Sequence, residues 1–323
     1  MYSYRFFMWR NILGIVMFLF LAASCRKVIT NELPVVKPPE SKEDTTNLKN
    51  YNKDITIVNW NIEWFGNSNF GGNLDEQERN TVLVLKYLNA DLYGICEVVD
   101  TARFGRMIRN NLGDEFRYKI SYYPASLSSQ KLAFVYNRNI FRNVSVRPFM
   151  GVSTTASTNF AGRYPYLLRA EVVVNGKRNV VNYILIHAKA NADLTSYNRR
   201  LNGAVEMKDS LDRYYSGQNV MVLGDYNDHF VGSIVSGTVS PYQNFVNDAN
   251  YNPITLPLNS AGHQSTLNYP NSVIDQQMIS SNMNQWYIAS SVKIRTDVTA
   301  AVPQFNTGNT SDHYPVSSVY SIK

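Results

Sequence analysis

The chain has 323 residues, of which 44% are hydrophobic and 17% are charged. This composition excludes an intrinsically disordered protein, and the length is sufficient for one large domain or two ordinary ones. The formal net charge of +6 is compatible with a polyanionic substrate but does not require one.

The N-terminal segment is typical of an exported lipoprotein. Arg5 and Arg10 precede an apolar stretch over residues 12–23, which is short for a membrane span. Small residues then lead to Cys25, the position at which bacterial lipoproteins carry the cysteine that is lipidated. We therefore predict a signal peptide over residues 1–24 and lipidation of Cys25, with an ordinary signal peptide as the alternative. The protein would be exported and lipid-anchored to a bacterial membrane, at its periplasmic face or at the cell surface.

Residues 25–50 are predicted to form a flexible tether. The segment contains several prolines among polar residues and shows no apolar period. From residue 51 onward there is neither a second linker nor an internal repeat, so residues 51–323 are predicted to be one domain. Cys96 lies in an apolar run of this domain and is expected to be buried, without a disulfide partner once Cys25 is lipidated.

Short apolar runs, rich in β-branched or aromatic residues, predict strands throughout this domain. The runs cover residues 55–58, 92–95, 132–136, 167–174, 180–186 and 220–223. Apolar positions at helical spacing predict helices near residues 81–88 and 201–215, which would cover the sheets. The strands are too closely spaced for simple alternation with helices. The predicted fold is therefore α/β, a four-layer α/β sandwich with two packed mixed, largely antiparallel sheets flanked by helices.

Polar side chains follow one apolar run after another. They are Asn61, Glu97, His187, Asp225 and Asn227, and Asp275 and the pair Asp312-His313 complete the set. Because strand ends are rigid, residues placed there can converge on one substrate. Taken singly, each could be a turn former, an ion-pair partner or a satisfied core histidine. Their joint occurrence favours a common site.

The segment Ser311-Asp312-His313 places an acid beside an imidazole, just before the apolar run 316–320. Asp312 offers hard oxygens to a divalent cation, and His313 can exchange a proton near neutral pH. Metal-assisted hydrolysis requires both properties. In isolation such a segment is more often a polar turn, so its meaning depends on the residues that accompany it.

The ordered motifs resemble those of the endonuclease/exonuclease/phosphatase superfamily. Its members include pancreatic-type deoxyribonucleases, apurinic/apyrimidinic endonucleases, neutral sphingomyelinases and inositol polyphosphate phosphatases. The resemblance covers the chain from about residue 52 to its end. The motifs are Asn59-Trp60-Asn61-Ile62, Glu97, Arg163-Tyr164-Pro165, His187, Gly224-Asp225-Tyr226-Asn227, Val273-Ile274-Asp275 and Ser311-Asp312-His313-Tyr314-Pro315-Val316.

The resemblance implies a metal site and a water-activating group. Asn61, Glu97 and Asp312 would bind the metal, and their oxygen donors favour Mg²⁺, or else Mn²⁺ or Ca²⁺, over zinc. Asp225 would orient or activate the attacking water. Asn227 would hold a phosphate oxygen with its amide.

The resemblance also implies two imidazoles that flank the phosphate. Asp275 would hydrogen-bond His313 and fix its tautomer beside the phosphorus. His187 would be the second imidazole, as in the deoxyribonuclease-like and sphingomyelinase-like branches. Arg163 and Lys189 would bind nonbridging phosphate oxygens.

The predicted function is that of a metal-dependent phosphodiesterase or endonuclease that acts on nucleic acid outside the cytoplasm, with a monomer favoured. One alternative is a sphingomyelinase-like enzyme or an inositol-phosphate or sugar-phosphate phosphatase. The alternative from another class is a non-catalytic surface binding lipoprotein, for which Asp225, Asp275 and His313 together would have no chemical use. Tyr122, Tyr123 and other aromatics could stack on bases, although no compact Lys/Arg cluster marks a duplex-binding face.

Overall fold

The computed structural model describes residues 47–323. Within this range the chain forms twelve strands and six α-helices. The strands are β1 (Ile55–Phe65), β2 (Leu92–Val98), β3 (Phe116–Ile120), β4 (Lys131–Asn137), β5 (Phe141–Pro148), β6 (Tyr166–Val174), β7 (Lys177–His187), β8 (Asn219–Asp225), β9 (Tyr251–Asn252), β10 (Asp275–Ser280), β11 (Lys293–Ile294) and β12 (Val316–Tyr320). The helices are α1 (Leu74–Leu88), α2 (Thr101–Asn111), α3 (Thr154–Asn159), α4 (Leu194–Tyr214), α5 (Gln243–Val246) and α6 (Leu256–Ser260).

The strands form two six-stranded sheets. The first has the order β11-β12-β1-β2-β4-β3, and the second has the order β5-β6-β7-β8-β10-β9. The pairs β1/β2 and β7/β8 are parallel, and the other pairs are antiparallel. The predicted sandwich of two mixed, largely antiparallel sheets is therefore confirmed.

Three buried clusters hold the layers together. One lies between the sheets and includes Ile57 and Phe134 from the first sheet and Leu185 from the second. The other two lie on the outer faces, where α1 and α2 cover the first sheet and α4 covers the second. Each fully buried aliphatic or aromatic side chain contributes about 1.5–3 kcal/mol by burial, so this layering is a main source of stability.

Both predicted helices begin earlier than their apolar period suggests. Asn73 caps α1, because its side-chain oxygen accepts hydrogen bonds from the backbone N–H groups of Asp75 and Glu76. Asp193 caps α4 in the same way through the N–H of Ser196. Their first turns are mainly polar, so hydrophobic periodicity alone does not reveal them.

The predicted signal peptide, Cys25 and nearly all of the tether lie outside the described residues. At the end of the tether, the Lys49 backbone N–H donates to Asn139 Oδ1 (3.0 Å), and Arg142 donates to Lys49 O and Asn50 Oδ1 (2.9 Å each). Cys96 is buried, as expected. In residues 47–323 no helix combines the length and the apolar character needed to cross a membrane.

Candidate active site

The candidate site lies where the carboxyl ends of the two parallel strand pairs meet. His187 ends β7, Asp225 ends β8 beside it, and Asp275 begins β10 opposite Asp225. Residues at one register position of neighbouring strands point to the same face, so these three side chains share a face. Asn61 and Glu97 come from β1 and β2 of the facing sheet.

A backbone irregularity orients Glu97 toward this site. Cys96 packs in the core between the sheets, so regular alternation would point Glu97 away from it. Glu97 instead has a left-handed φ of 69°, and β2 shifts register against both of its neighbours at this point. Such an irregularity re-aims a side chain and is common beside active sites. Its carboxylate accepts hydrogen bonds from the Trp64 backbone N–H (2.9 Å) and from the Asn61 side chain.

The Asn61 amide joins the two sheets at the site. Its Nδ2 donates to Glu97 Oε1 and to Asp225 Oδ2, both at 3.0 Å. Its Oδ1 accepts the Glu63 backbone N–H (3.0 Å), and its carbonyl oxygen accepts a bond from the Ser311 hydroxyl (2.7 Å). Asn61 thus holds two carboxylates with its amide and the segment before β12 with its carbonyl oxygen.

Three carboxylates, those of Glu63, Glu97 and Asp312, lie close enough for their charges to interact on the first-sheet side of the site. Burial raises the pKa of Glu97, and the Asp312 charge raises it further. Burial and then the Asp312 charge raise the pKa of Glu63 to about 7. Glu63 Oε1 accepts a hydrogen bond from Thr307, whereas the buried Oε2 has no partner among residues 47–323. Asp312 accepts a bond from the Asn268 amide (2.7 Å).

This donor set fits a hard divalent cation. Glu63, Glu97 and Asp312 supply carboxylate oxygens that repel one another, and the orphaned Glu63 Oε2 is available for a ligand bond. Mg²⁺ and Ca²⁺ prefer such oxygen-only sites. Glu63 was not among the residues predicted from the sequence. Its only signal was an acid two residues beyond Asn61, past the end of the predicted strand 55–58.

Asp275 and His313 form a buried ion pair. Asp275 Oδ2 lies 2.7 Å from His313 Nδ1 and also accepts the Ser265 hydroxyl (2.8 Å). Burial alone would lower the pKa of His313, but the charge and hydrogen bond of Asp275 raise it well above its ordinary value. The His313 carbonyl accepts the Trp60 indole N–H (2.8 Å), so the backbone of this residue is fixed as well. The imidazole of His313 is therefore charged. Because its Nδ1 bonds Asp275, its Nε2 points away from Asp275.

Asp225 lies beside this ion pair. One carboxylate oxygen of Asp225, one of Asp275 and one ring nitrogen of His313 all lie within 4.8 Å of one another. Burial raises the pKa of Asp225 to about 7, against the opposing charge of His313. The Asn227 backbone N–H donates to Asp225 Oδ1 (2.9 Å) and fixes the carboxylate. A carboxylate with this pKa can exchange a proton near neutral pH.

His187 is the second imidazole at the site. Its Nε2 lies 3.5 Å from Glu97 Oε1 and 3.6 Å from Asp225 Oδ2. Its Nδ1 is buried and has no hydrogen-bond partner among residues 47–323. Burial, and then the positive charges of Arg163, His313 and Lys189, hold the pKa of His187 well below its ordinary value. His187 is thus neutral, in contrast to the charged imidazole of the ion pair.

The other predicted phosphate-side residues lie next to His187. Arg163 donates to His187 O (3.3 Å), to Ala188 O (3.1 Å) and to Gln130 Oε1 (3.1 Å). Asn227 Nδ2 donates to Ala188 O (3.2 Å). Both side chains therefore bond to the backbone that follows β7. The Lys189 ammonium lies in the same segment and donates to the neighbouring Ala190 carbonyl (3.1 Å).

No protein-family model matches the chain, and no curated protein is significantly similar to it in sequence. Solved structures do share its fold. The human Nocturnin catalytic domain with bound sulfate is 15% identical with a TM-score of 0.58, covering 85% of this chain and 97% of that one. An endonuclease/exonuclease/phosphatase from Bacteroides vulgatus is 12% identical (TM-score 0.58, 84% and 100% covered). D. rerio TDP2, humanized by 14 mutations, is 12% identical (TM-score 0.56, 83% and 99% covered). At these identities the likeness establishes the fold.

Proposed function

We propose that this chain, which has the fold of the endonuclease/exonuclease/phosphatase superfamily, is a divalent-metal-dependent phosphoesterase. The observation that carries the proposal is the convergence of the Asp275–His313 ion pair with Asp225, Glu97 and His187 at one end of the sandwich. Phosphate-ester hydrolysis needs a cation, a water-activating group and proton donors near a phosphate. Asp225 supplies the water-activating group, the two histidines supply the proton donors, and Glu97 supplies an oxygen ligand for the cation.

The metal would be held by the oxygen cluster. Glu97, Asp312 and Glu63 would be its ligands, with Asn61 close by, and Mg²⁺ is the cation proposed, with Mn²⁺ or Ca²⁺ as alternatives. When bound, the metal would neutralise charge that develops on the phosphate. The crowding of carboxylates with raised pKa values supports this role, because a cation would relieve their repulsion.

The remaining residues divide the proton chemistry. Asp225, with a pKa of about 7, would accept a proton from the attacking water. Hydrogen bonds from Asn61 and Asn227 would hold the Asp225 carboxylate in place. The charged His313 would donate a hydrogen bond from Nε2 to the phosphate, because Asp275 holds its other nitrogen. Neutral His187 would contact the phosphate from the opposite side through Nε2.

We further propose that the substrate is nucleic acid. Three half-buried tyrosines lie next to one another near Arg163, whose guanidinium bonds the His187 carbonyl oxygen, and Tyr164 follows Arg163 in the chain. The rings of Tyr122 and Tyr123 lie 4.4 Å apart, and Tyr123 meets Tyr164 edge to face at 5.3 Å. Aromatic platforms of this kind stack on bases of single strands. Export and lipidation of Cys25 would place the enzyme outside the cytoplasm on a membrane.

The test is a parallel assay of the purified full chain on plasmid DNA, RNA, sphingomyelin and inositol phosphates, with Mg²⁺ and with a chelator. Glu97→Gln and His313→Asn should lose metal-dependent hydrolysis, whereas His263→Asn, at an exposed position, should retain it. Hydrolysis that survives chelation, or equal activity of the two histidine variants, would refute the proposal.

The substrate class has its own test. Tyr123→Ala should raise KM for single-stranded DNA by roughly 5-fold to 150-fold, because stacking on one base contributes about 1–3 kcal/mol. The control is Tyr214→Ala, at an exposed tyrosine on α4. Activity confined to sphingomyelin or inositol phosphates would replace nucleic acid by the corresponding alternative.

A further inference from the structure

The backbone that joins β7 to α4 is held by two guanidinium groups. Arg163 and Arg200 approach it from different elements and bond four of its carbonyl oxygens. The contacts are Arg163 Nε to His187 O (3.3 Å), Arg163 Nη2 to Ala188 O (3.1 Å), Arg200 Nη1 to Lys189 O (2.7 Å) and Arg200 Nη1 to Asn191 O (3.0 Å). This irregular segment thus gains fixed partners that a regular strand or helix would otherwise supply.

Arg200 also connects this segment to the loop after β8. Its Nε donates to Asp228 Oδ2 (2.8 Å), and both side chains are fully buried. Asp228 in turn accepts the backbone N–H groups of His229 and Ile234 (2.9 Å each) and the Ser233 hydroxyl (3.0 Å). One guanidinium therefore ties the loop after β7 to the loop after β8.

A buried ion pair of this kind is not explained by stability alone. The desolvation of both charges offsets much of their attraction, and apolar residues of similar size are often as stabilising. Fixed geometry is the better explanation. Arginine suits the task because its planar group reaches acceptors in several directions, which an ammonium group cannot do in the same way.

The two tied loops carry the phosphate side of the site. His187 lies at the start of the first loop and Lys189 lies within it. Asn227 lies in the second loop, immediately before Asp228. The Asn227 amide bonds Ala188 O (3.2 Å), so the position of one loop depends on that of the other. Arg200 touches none of the reacting groups and acts through this backbone.

We propose that Arg200, with Asp228, is a positioning residue that fixes the His187–Asn191 segment and Asn227 against the substrate phosphate. The catalytic part of this inference rests on the proposed phosphoesterase function. The structural part, the fixing of the two loops, does not.

The test compares Arg200→Lys with Lys208→Met in the full chain. Lys208 lies two turns farther along α4 and pairs with Asp212 and Asp248, so it is a matched ion-paired control away from both loops. In Arg200→Lys the amides of Ala188 and Ile234 should lose protection in hydrogen–deuterium exchange. In Lys208→Met they should exchange as in the wild type. Arg200→Met serves as a second variant if Arg200→Lys retains the geometry.

The kinetic arm separates positioning from general stability. At a temperature well below unfolding, Arg200→Lys should reduce kcat by about 10-fold to 100-fold, the usual cost of losing a supporting residue. Its Mg²⁺ affinity should stay unchanged, because the proposed metal ligands lie on the other sheet or before β12.

Wild-type protection of both amides in both Arg200 variants would overturn the inference. So would faster exchange with an unchanged kcat, which would leave Arg200 a purely structural role. If the wild type hydrolyses no phosphate ester, the proposed function fails, and the exchange measurement alone decides whether Arg200 fixes the loops.

Discussion

Replacing Gly224 by alanine should push apart two strands that carry the site. Gly224 lies opposite Ile186 in the parallel pair β7/β8, one residue before Asp225. Its φ is +130°, which side chains rarely allow, and an added Cβ would lie 2.1 Å from Ile186 O. The obstacle is backbone rather than a flexible side chain, so it cannot be relieved by a rotamer change.

The expected loss of stability has two parts. The unfavourable φ costs about 1–3 kcal/mol, and the forced separation of β7 and β8 costs about another 1–3 kcal/mol. A sum of about 2–6 kcal/mol is a large share of the ~5–15 kcal/mol that stabilises a typical domain. Gly224→Ala should therefore still fold at low temperature, but with His187 and Asp225 displaced from each other.

The matched control is Gly176→Ala in the β6/β7 hairpin. Gly176 also has a positive φ, of +69°, but no atom lies within 4 Å of its added Cβ. This variant should lose only about 1–2 kcal/mol. Urea unfolding measures the stabilities, and metal-dependent hydrolysis at 10 °C measures the site. If Gly224→Ala matches Gly176→Ala in both assays, the close approach of β7 and β8 does not set the positions of His187 and Asp225.

Three further variants probe the charges. Asp275→Asn keeps a hydrogen-bond acceptor but removes the charge that raises the pKa of His313, so kcat should fall about 10²-fold to 10⁴-fold while Mg²⁺ affinity in a calorimetric titration is retained. Glu63→Gln should weaken Mg²⁺ binding about 10-fold to 100-fold and, by relieving repulsion, leave the metal-free protein at least as heat-stable as the wild type. Lys208→Met should cost about 0.5 kcal/mol at pH 7. Because the Lys208 hydrogen bond lowers the pKa of Asp248 in the folded protein, that difference should begin to shrink in thermal unfolding as the pH falls through the ordinary Asp value of 3.8, and it should vanish only below the lowered pKa of the folded carboxylate.

The apolar strands could be predicted from the sequence, but less apolar strands such as β3, β5 and β10 could not. The edge strands β3 and β5 are half-exposed or alternate between buried and exposed residues, so they lack a continuous apolar run. Strand β10 is central and fully buried, yet it begins with Asp275, Gln276 and Gln277. Gln277 is tolerated there because its amide donates to Asn59 Oδ1 (2.9 Å) and to Val316 O (3.1 Å). Such partners come from distant strands, which a local pattern does not contain.

The site residues also divide into those that a local sequence pattern reveals and those that it does not. Asp312 and His313 could be identified because an acid and an imidazole precede an apolar run. Glu63 and Arg200 could not, since their importance depends on three-dimensional neighbours. Glu63 becomes notable only when Asp312 is found beside it, and Arg200 only when its acceptors are seen to be loop carbonyls. On the sequence alone, each is an ordinary charged residue near a predicted strand or helix.

The geometry of the site follows from the packing between the two sheets. Leu185 and Leu223 fill that core, and two residues farther along the same faces lie His187 and Asp225. On the facing strand β1, the face that packs between the sheets likewise leads to a polar residue, Asn61. Its amide donates a hydrogen bond across to Asp225. The apolar side chains below therefore set the separation that the polar side chains above must bridge. Because side chains from both sheets set that separation, the sequence of a single strand can indicate which residues enter the site but not the distances between them.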